Sequence, residues 1–204
     1  MTFFSADPEP PEQSAPPEQE QPRWWGLPED ELAALLPVRE VLGTTEQASV
    51  ALVWALVHSD GVAFRVERRL RRGDLPAREW QRLMTEFSEH GMFGELEDPA
   101  ARLRFGVVLG DGEQVLDSHP FGQGTDPTVM PTRHVLVRTG GGSGGSDRFY
   151  SGSETLWLWP LPPSGPMELV MQWPALGIGE VRVMLDGDRI LALAQQVVPL
   201  WPEE

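Results

Sequence analysis

From Val38 onward the apolar residues of this chain fall largely at alternate positions, the spacing of strands that bury one face. Val62, Phe64, Val66 and Leu70 alternate with Ala63, Arg65, Glu67, Arg69 and Arg71, which predicts a half-buried strand with a charged outer face. Val38–Thr45 predicts an earlier strand and Ala48–His58 a longer one, apolar on both faces, joined to Val62 by the turn Ser59-Asp60-Gly61. Leu103–Leu109 and Glu113–Asp117 flank Gly110-Asp111-Gly112 as a second hairpin. Val135–Arg138, Thr155–Trp159, Met167–Trp173 and Glu180–Leu185 continue the series.

Three segments break the period of two. Trp80, Leu83, Met84 and Phe87 recur at helical spacing and predict a helix over Pro76–Ser88. Leu32, Leu35 and Leu36 predict a short helix over Pro28–Leu36, ended by Pro37, and Asp186 is placed to cap a last helix over Ile190–Val197. Short strands punctuated by glycine and proline, without a strand-helix-strand rhythm, predict a mainly β fold: a two-sheet antiparallel β-sandwich with one or two accessory helices. Residues 5–22 hold six prolines and five acidic side chains, so 1–23 is expected to be a disordered tail and 24–204 a single domain.

Composition narrows the partners. The chain has 204 residues, room for one core, and a formal charge of -15 in which every basic residue is arginine. A field of that sign repels polyphosphate and anionic lipid, so no nucleic acid and no membrane is expected as a partner. No cysteine is present, which removes disulfides and thiolate chemistry. The longest apolar run, Val50–Val57, falls far below the roughly 20 residues that span a bilayer, and MTFFSADPEPP lacks the charged start and apolar stretch of an export signal. A cytoplasmic protein is the expectation.

Several motifs invite chemistry and have a plainer explanation. Gly140-Gly141-Gly142-Ser143-Gly144-Gly145 contains G-x-G-x-x-G and G-x-S-x-G, but no helix pattern follows it and no histidine comes after His134. It reads as a flexible connector. His58, His90, His119 and His134 have no metal-site spacing, and Asp117 with His119 lacks a third ligand, so no metal and no cofactor is expected. Asp60, Asp111 and Asp186 sit beside glycines, where turns and caps favour aspartate.

The chain's eight tryptophans say more. Trp157 and Trp159 share one strand face and Trp173 ends a neighbouring strand, so they serve either as core or as an exposed platform for sugars or proline-rich peptide. Arg65, Arg68, Arg69, Arg71 and Arg72 form the one basic cluster, either a solvated strand face or an anion-binding patch whose nearest anion is the chain's own acidic tail.

The run Leu156-Trp157-Leu158-Trp159-Pro160-Leu161-Pro162-Pro163, preceded by the glycine run and followed by Trp173-Pro174-Ala175 and Pro199-Leu200-Trp201-Pro202, resembles a family of uncharacterised proteins from high-GC bacterial genomes. That resemblance implies no activity. The residues therefore lead to a non-enzymatic binding or protein-interaction module, with Trp157, Trp159, Trp173, Arg65, Arg69 and Arg71 as candidate binding residues. Because Ala48–His58 and Thr155–Trp159 are apolar on both faces, a protein partner or self-association is expected, unless the helix and the segment around Trp24 and Trp25 cover both. The alternatives are a carbohydrate- or small-molecule-binding sandwich using the aromatic face, and a carboxylate-dependent hydrolase.

Overall fold

The computed structural model describes residues 22–89, 101–118 and 129–201; the tail expected at 1–23 lies almost wholly outside them, as do His90 and His119. The fold is mainly β. Along the chain run β1 (Glu31–Leu32), β2 (Ala34–Leu36), β3 (Glu40–Thr44), β4 (Ala48–Val57), β5 (Val62–Arg71), α1 (Ala77–Glu89), β6 (Arg104–Val108) and β7 (Gln114–Ser118). β8 (Val135–Gly145), β9 (Phe149–Trp159), β10 (Pro166–Trp173), β11 (Ile178–Asp186), α2 (Gly187–Ala194) and β12 (Val198–Pro199) follow.

Among the described residues β1 and β12 form a two-stranded sheet of their own, and the other strands join, where the sequence predicts two stacked sheets, in one strongly curled sheet. Its hydrogen-bonded order is β11-β10-β6-β7-β8-β9-β5-β4-β2, with β3 also on β4. The join between its two halves is a short parallel pairing, Asp117 with Leu136 and Ser118 with Val137; every other ladder is antiparallel. Curling brings the far strand β11 against β3, where a Cβ on Gly43 would stand 2.4 Å from Ile178 Cγ2. Glycine permits that approach.

The segment Pro28–Leu36 is not a helix. β1 pairs with β12, while β2 and β3 lie in succession along the same edge of β4, with Pro37 between them. Proline has no N–H to give a ladder, so it breaks this edge in two. Leu32 and Leu35, which suggested a buried helical stripe, are exposed. The glycine run is likewise no loop: it completes β8, paired from Gly141 through Gly145 with Glu154 through Tyr150.

Both remaining helices close the inside of the curl. Trp80 and Phe87 of α1 and Ile190 and Ala194 of α2 belong to the same core as Phe64, Leu156, Phe105 and Trp173. α2 starts earlier than the apolar pattern suggests, at Gly187, and Asp186 caps it by accepting from the Asp188 and Arg189 backbone N–H groups at 3.0 and 3.2 Å. Among the described residues no helix is long and apolar enough to cross a membrane.

Candidate functional site

Period-two alternation divides β5 and β9 between two environments. Inside the curl point Phe64, Val66, Arg68 and Leu70 from β5, opposite Leu156, Glu154, Gly152 and Tyr150 from β9. The outer lane of β5 is Ala63, Arg65, Glu67, Arg69 and Arg71; that of β9 is Trp157, Thr155, Ser153, Ser151 and Phe149, in the same order.

The inner face holds a chain of charges. Arg68 and Glu154 are both buried, with Arg68 Nη2 2.7 Å from Glu154 Oε1. Glu154 also pairs with Arg138 at 3.1 Å, and Arg138 in turn with Asp117, whose Oδ1 accepts the Phe105 N–H at 3.0 Å. The guanidinium of Arg68 lies 4.6 Å from the Phe87 ring centre and 5.5 Å from that of Trp173. Burial pulls its pKa below the ordinary arginine value, the Glu154 carboxylate opposes this, and the like charge of Arg138 reinforces it. Arg68 is therefore an interior ion, not a member of the surface cluster to which its neighbours in sequence assign it. Asp117 has its carboxylate occupied by Arg138 and Phe105, which argues against the pairing with His119 at a metal.

The outer face changes character along its length. At one end Trp157 and Trp159 are buried with Ala63 beneath Trp24, Leu27, Leu56 and Val135. Trp157 donates its indole N–H to the Arg23 carbonyl at 2.8 Å, and Trp24 meets Trp159 at 6.1 Å between ring centres. The ring of Trp157 also fills the space over Gly61, where a Cβ would approach its Cη2 to 2.4 Å. Trp173 packs in the main core across the sheet. The three tryptophans thus form no exposed row, and the segment from Arg23 to Leu27 supplies the cover that the sequence demands for β9.

His58 fastens the neighbouring strand. Its Nδ1 lies 3.0 Å from Glu31 Oε1, which also accepts the Ser59 N–H at 2.9 Å, and its ring meets Trp157 edge-on at 5.5 Å. Burial disfavours the Glu31 carboxylate, but the hydrogen bonds from Ser59 and His58 outweigh it and hold the pKa below the usual glutamate value.

At the other end the outer face is open. Gly142 and Gly144 of β8 stand opposite Ser153 and Ser151 of β9, which stand opposite Glu67 and Arg69 of β5. Two lanes with little or no side chain beside one of long side chains leave a trough of about 650 Å3, bounded by Arg65, Glu67, Arg69 and Phe149. Arg65 is held in place by hydroxyls, donating to Thr155 Oγ1 at 3.2 Å and Ser153 Oγ at 2.6 Å; among the described residues it has no carboxylate partner. Arg69 is exposed and pairs with Glu67 at 2.6 Å. Arg71 is turned aside, donating to the Glu46 carbonyl, and lines a second hollow with Arg72 and Arg148.

Sequence reasoning finds Arg65 and Arg69 but misses Ser151, Ser153 and the glycine lane. Alternation through Ser151-Gly152-Ser153 puts both hydroxyls on the face of Trp157, so a signal for them exists once β9 is extended to Phe149. No protein-family model, curated protein or solved structure matches the chain.

Proposed function

We propose that this protein is a binding module whose trough on the outer face of β8, β9 and β5 receives an acidic, extended segment of a protein. The observation that carries this reading is Arg65: a half-buried cation oriented by two hydroxyls, with no carboxylate partner among the described residues. A fixed guanidinium with free donor capacity favours carboxylate oxygens. The glycine lane leaves room for a main chain beside it, and the hydroxyls of Ser151 and Ser153 offer further donors. The chain's net charge of -15 repels every polyanion, and nucleic acid, with about one charge per 1.7 Å of duplex, more than a segment whose carboxylates are spaced by neutral residues. An aromatic sugar platform has no support, since Trp157 and Trp173 have no exposed surface.

Titration with a synthetic decaglutamate peptide, followed by backbone amide NMR, tests the reading. Shifts should concentrate at Gly142, Gly144, Ser151 and Ser153 and vanish in Arg69→Ala. Shifts scattered elsewhere, or none at low salt, would overturn it.

A second reading, self-association, has one observation in its favour. Leu32 of β1 and Val198 of β12 are direct partners and both exposed, and Trp201 is 71% exposed nearby in sequence. Apolar side chains at that density are common at interfaces. Light scattering at micromolar concentration should then give a dimer mass that Trp201→Ser reduces; a monomer mass for the unaltered chain sinks this reading.

A further inference from the structure

The described chain begins at Pro22, and its first residues already lie on the lane that leads into the trough. The carbonyl of Arg23 caps Trp157, whose neighbours on the outer lane of β9 are Thr155, Ser153 and Ser151 in turn. From Trp157 to Ser151 is about 20 Å of strand at roughly 3.3 Å per residue. The preceding 21 residues carry Asp7, Glu9, Glu12, Glu18 and Glu20 and no arginine. Fully extended they reach about 70 Å at most, several times the distance required.

Place, reach and charge agree. We infer that the acidic amino-terminal segment is an intramolecular occupant of the trough, its carboxylates competing for Arg65 and Arg69 with any acidic partner. This rests on the trough binding acidic segments at all. Tethering gives the segment an effective concentration on the order of millimolar, so weak contacts suffice for it to compete. The composition suits the role, because the segment's five carboxylates, with no arginine among them, match the guanidinium groups of Arg65 and Arg69 in charge. The consequence is regulation: a partner must displace the chain's own segment, and a change of charge in that segment alters affinity at the trough.

Two measurements on the full chain test this. The first compares binding of fluorescein-labelled decaglutamate to the unaltered chain and to a variant carrying Asp7→Asn, Glu9→Gln, Glu12→Gln, Glu18→Gln and Glu20→Gln. The variant should bind roughly ten-fold more tightly. Equal affinity in the two chains overturns the inference while leaving the trough as a binding site; no binding to either overturns both. The second uses the absence of cysteine: a nitroxide on Ala15→Cys should broaden the amide signals of Ser151 and Ser153. That broadening should disappear when the five carboxylates are converted to amides or when Arg69 is replaced by alanine. Broadening that is absent, or that survives both changes, overturns the inference, and it separates local docking from a general loss of negative charge.

Discussion

The two faces of the β5–β9 pair use the same residue types to opposite ends. Arg68, on the inside, is matched to Glu154 and stacked against Phe87 and Trp173. Three positions away, on the outside, Arg65 is held by the hydroxyls of Thr155 and Ser153, with no carboxylate partner among the described residues. An interior charge must be neutralised where it stands, because removal from water costs several kcal/mol per ion. A charge at a water-filled trough is under no such demand and retains its capacity for a ligand. The difference teaches that a charge's candidacy for function depends on what answers it, more than on its place in a sequence cluster.

The sharpest way to break the inner face is Glu154→Leu, which, among the described residues, strands Arg68 without a carboxylate and leaves Arg138 with Asp117 and the Leu103 carbonyl. Urea unfolding should show a loss of about 3–5 kcal/mol, and combining it with Arg68→Met should restore much of that loss. The covered end of the outer face is tested by Gly61→Ala, whose methyl would meet the buried Trp157 ring and the Leu158 carbonyl at 2.7 Å. A cost of about 1–3 kcal/mol is expected from overpacking, with a change in the near-ultraviolet signal of tryptophan.

Glu31 sharpens the comparison through pH. Its folded pKa is depressed, so its ionisation stabilises the fold above the ordinary glutamate range, and that contribution is lost as pH falls through the folded value. Glu31→Gln should therefore melt below the unaltered chain near neutral pH, the gap closing on acidification through and below the ordinary glutamate range; a gap that stays constant or widens refutes the assignment. The smallest effect belongs to the open end. Arg69→Ala should change stability by no more than about 0.5 kcal/mol while removing the response to decaglutamate.

Much of this division is legible in the amino-acid sequence itself. Alternation through Val62–Arg71 defines both faces of β5, and the same rule, followed through its one apolar gap, places Arg68 with Val66 and Leu70 on the inside. Clustering it with Arg69 obeys proximity in sequence and ignores the pleat. The cap at Asp186 and the helix over Trp80 and Phe87 depend on local chemistry and appear where the residues put them. Pairing is different. The glycine run has no apolar side chain to carry a period, Ser143 being its one residue with a side chain, so its membership in β8 is fixed by pairing with the neighbouring strand β9. The single curled sheet likewise hinges on Asp117 and Ser118 meeting Leu136 and Val137, a contact that no local pattern encodes. The short strands β1 and β2 are hidden for a related reason: their partners are Val198–Pro199 and Ala55–Val57, and leucines at helical spacing are indifferent to which of these they meet.

The approach of Gly43 to Ile178 bears on how the protein is made. β3 leaves the ribosome early and β11 late, yet each borders the other, and α2 rests on β2, β4 and β10 at once. The hairpin of β4 and β5 can pair as soon as it emerges, but its inner face is covered only in part, by α1, until β9, β10 and β11 have been synthesised. Throughout that interval Val50, Leu52, Phe64 and Val66, all fully buried at the end, face the cell's water and its chaperones. Translation speed across the second half of the chain therefore sets how long the nascent protein presents an adhesive surface, and slowing it there should raise aggregation more than slowing it across the first half.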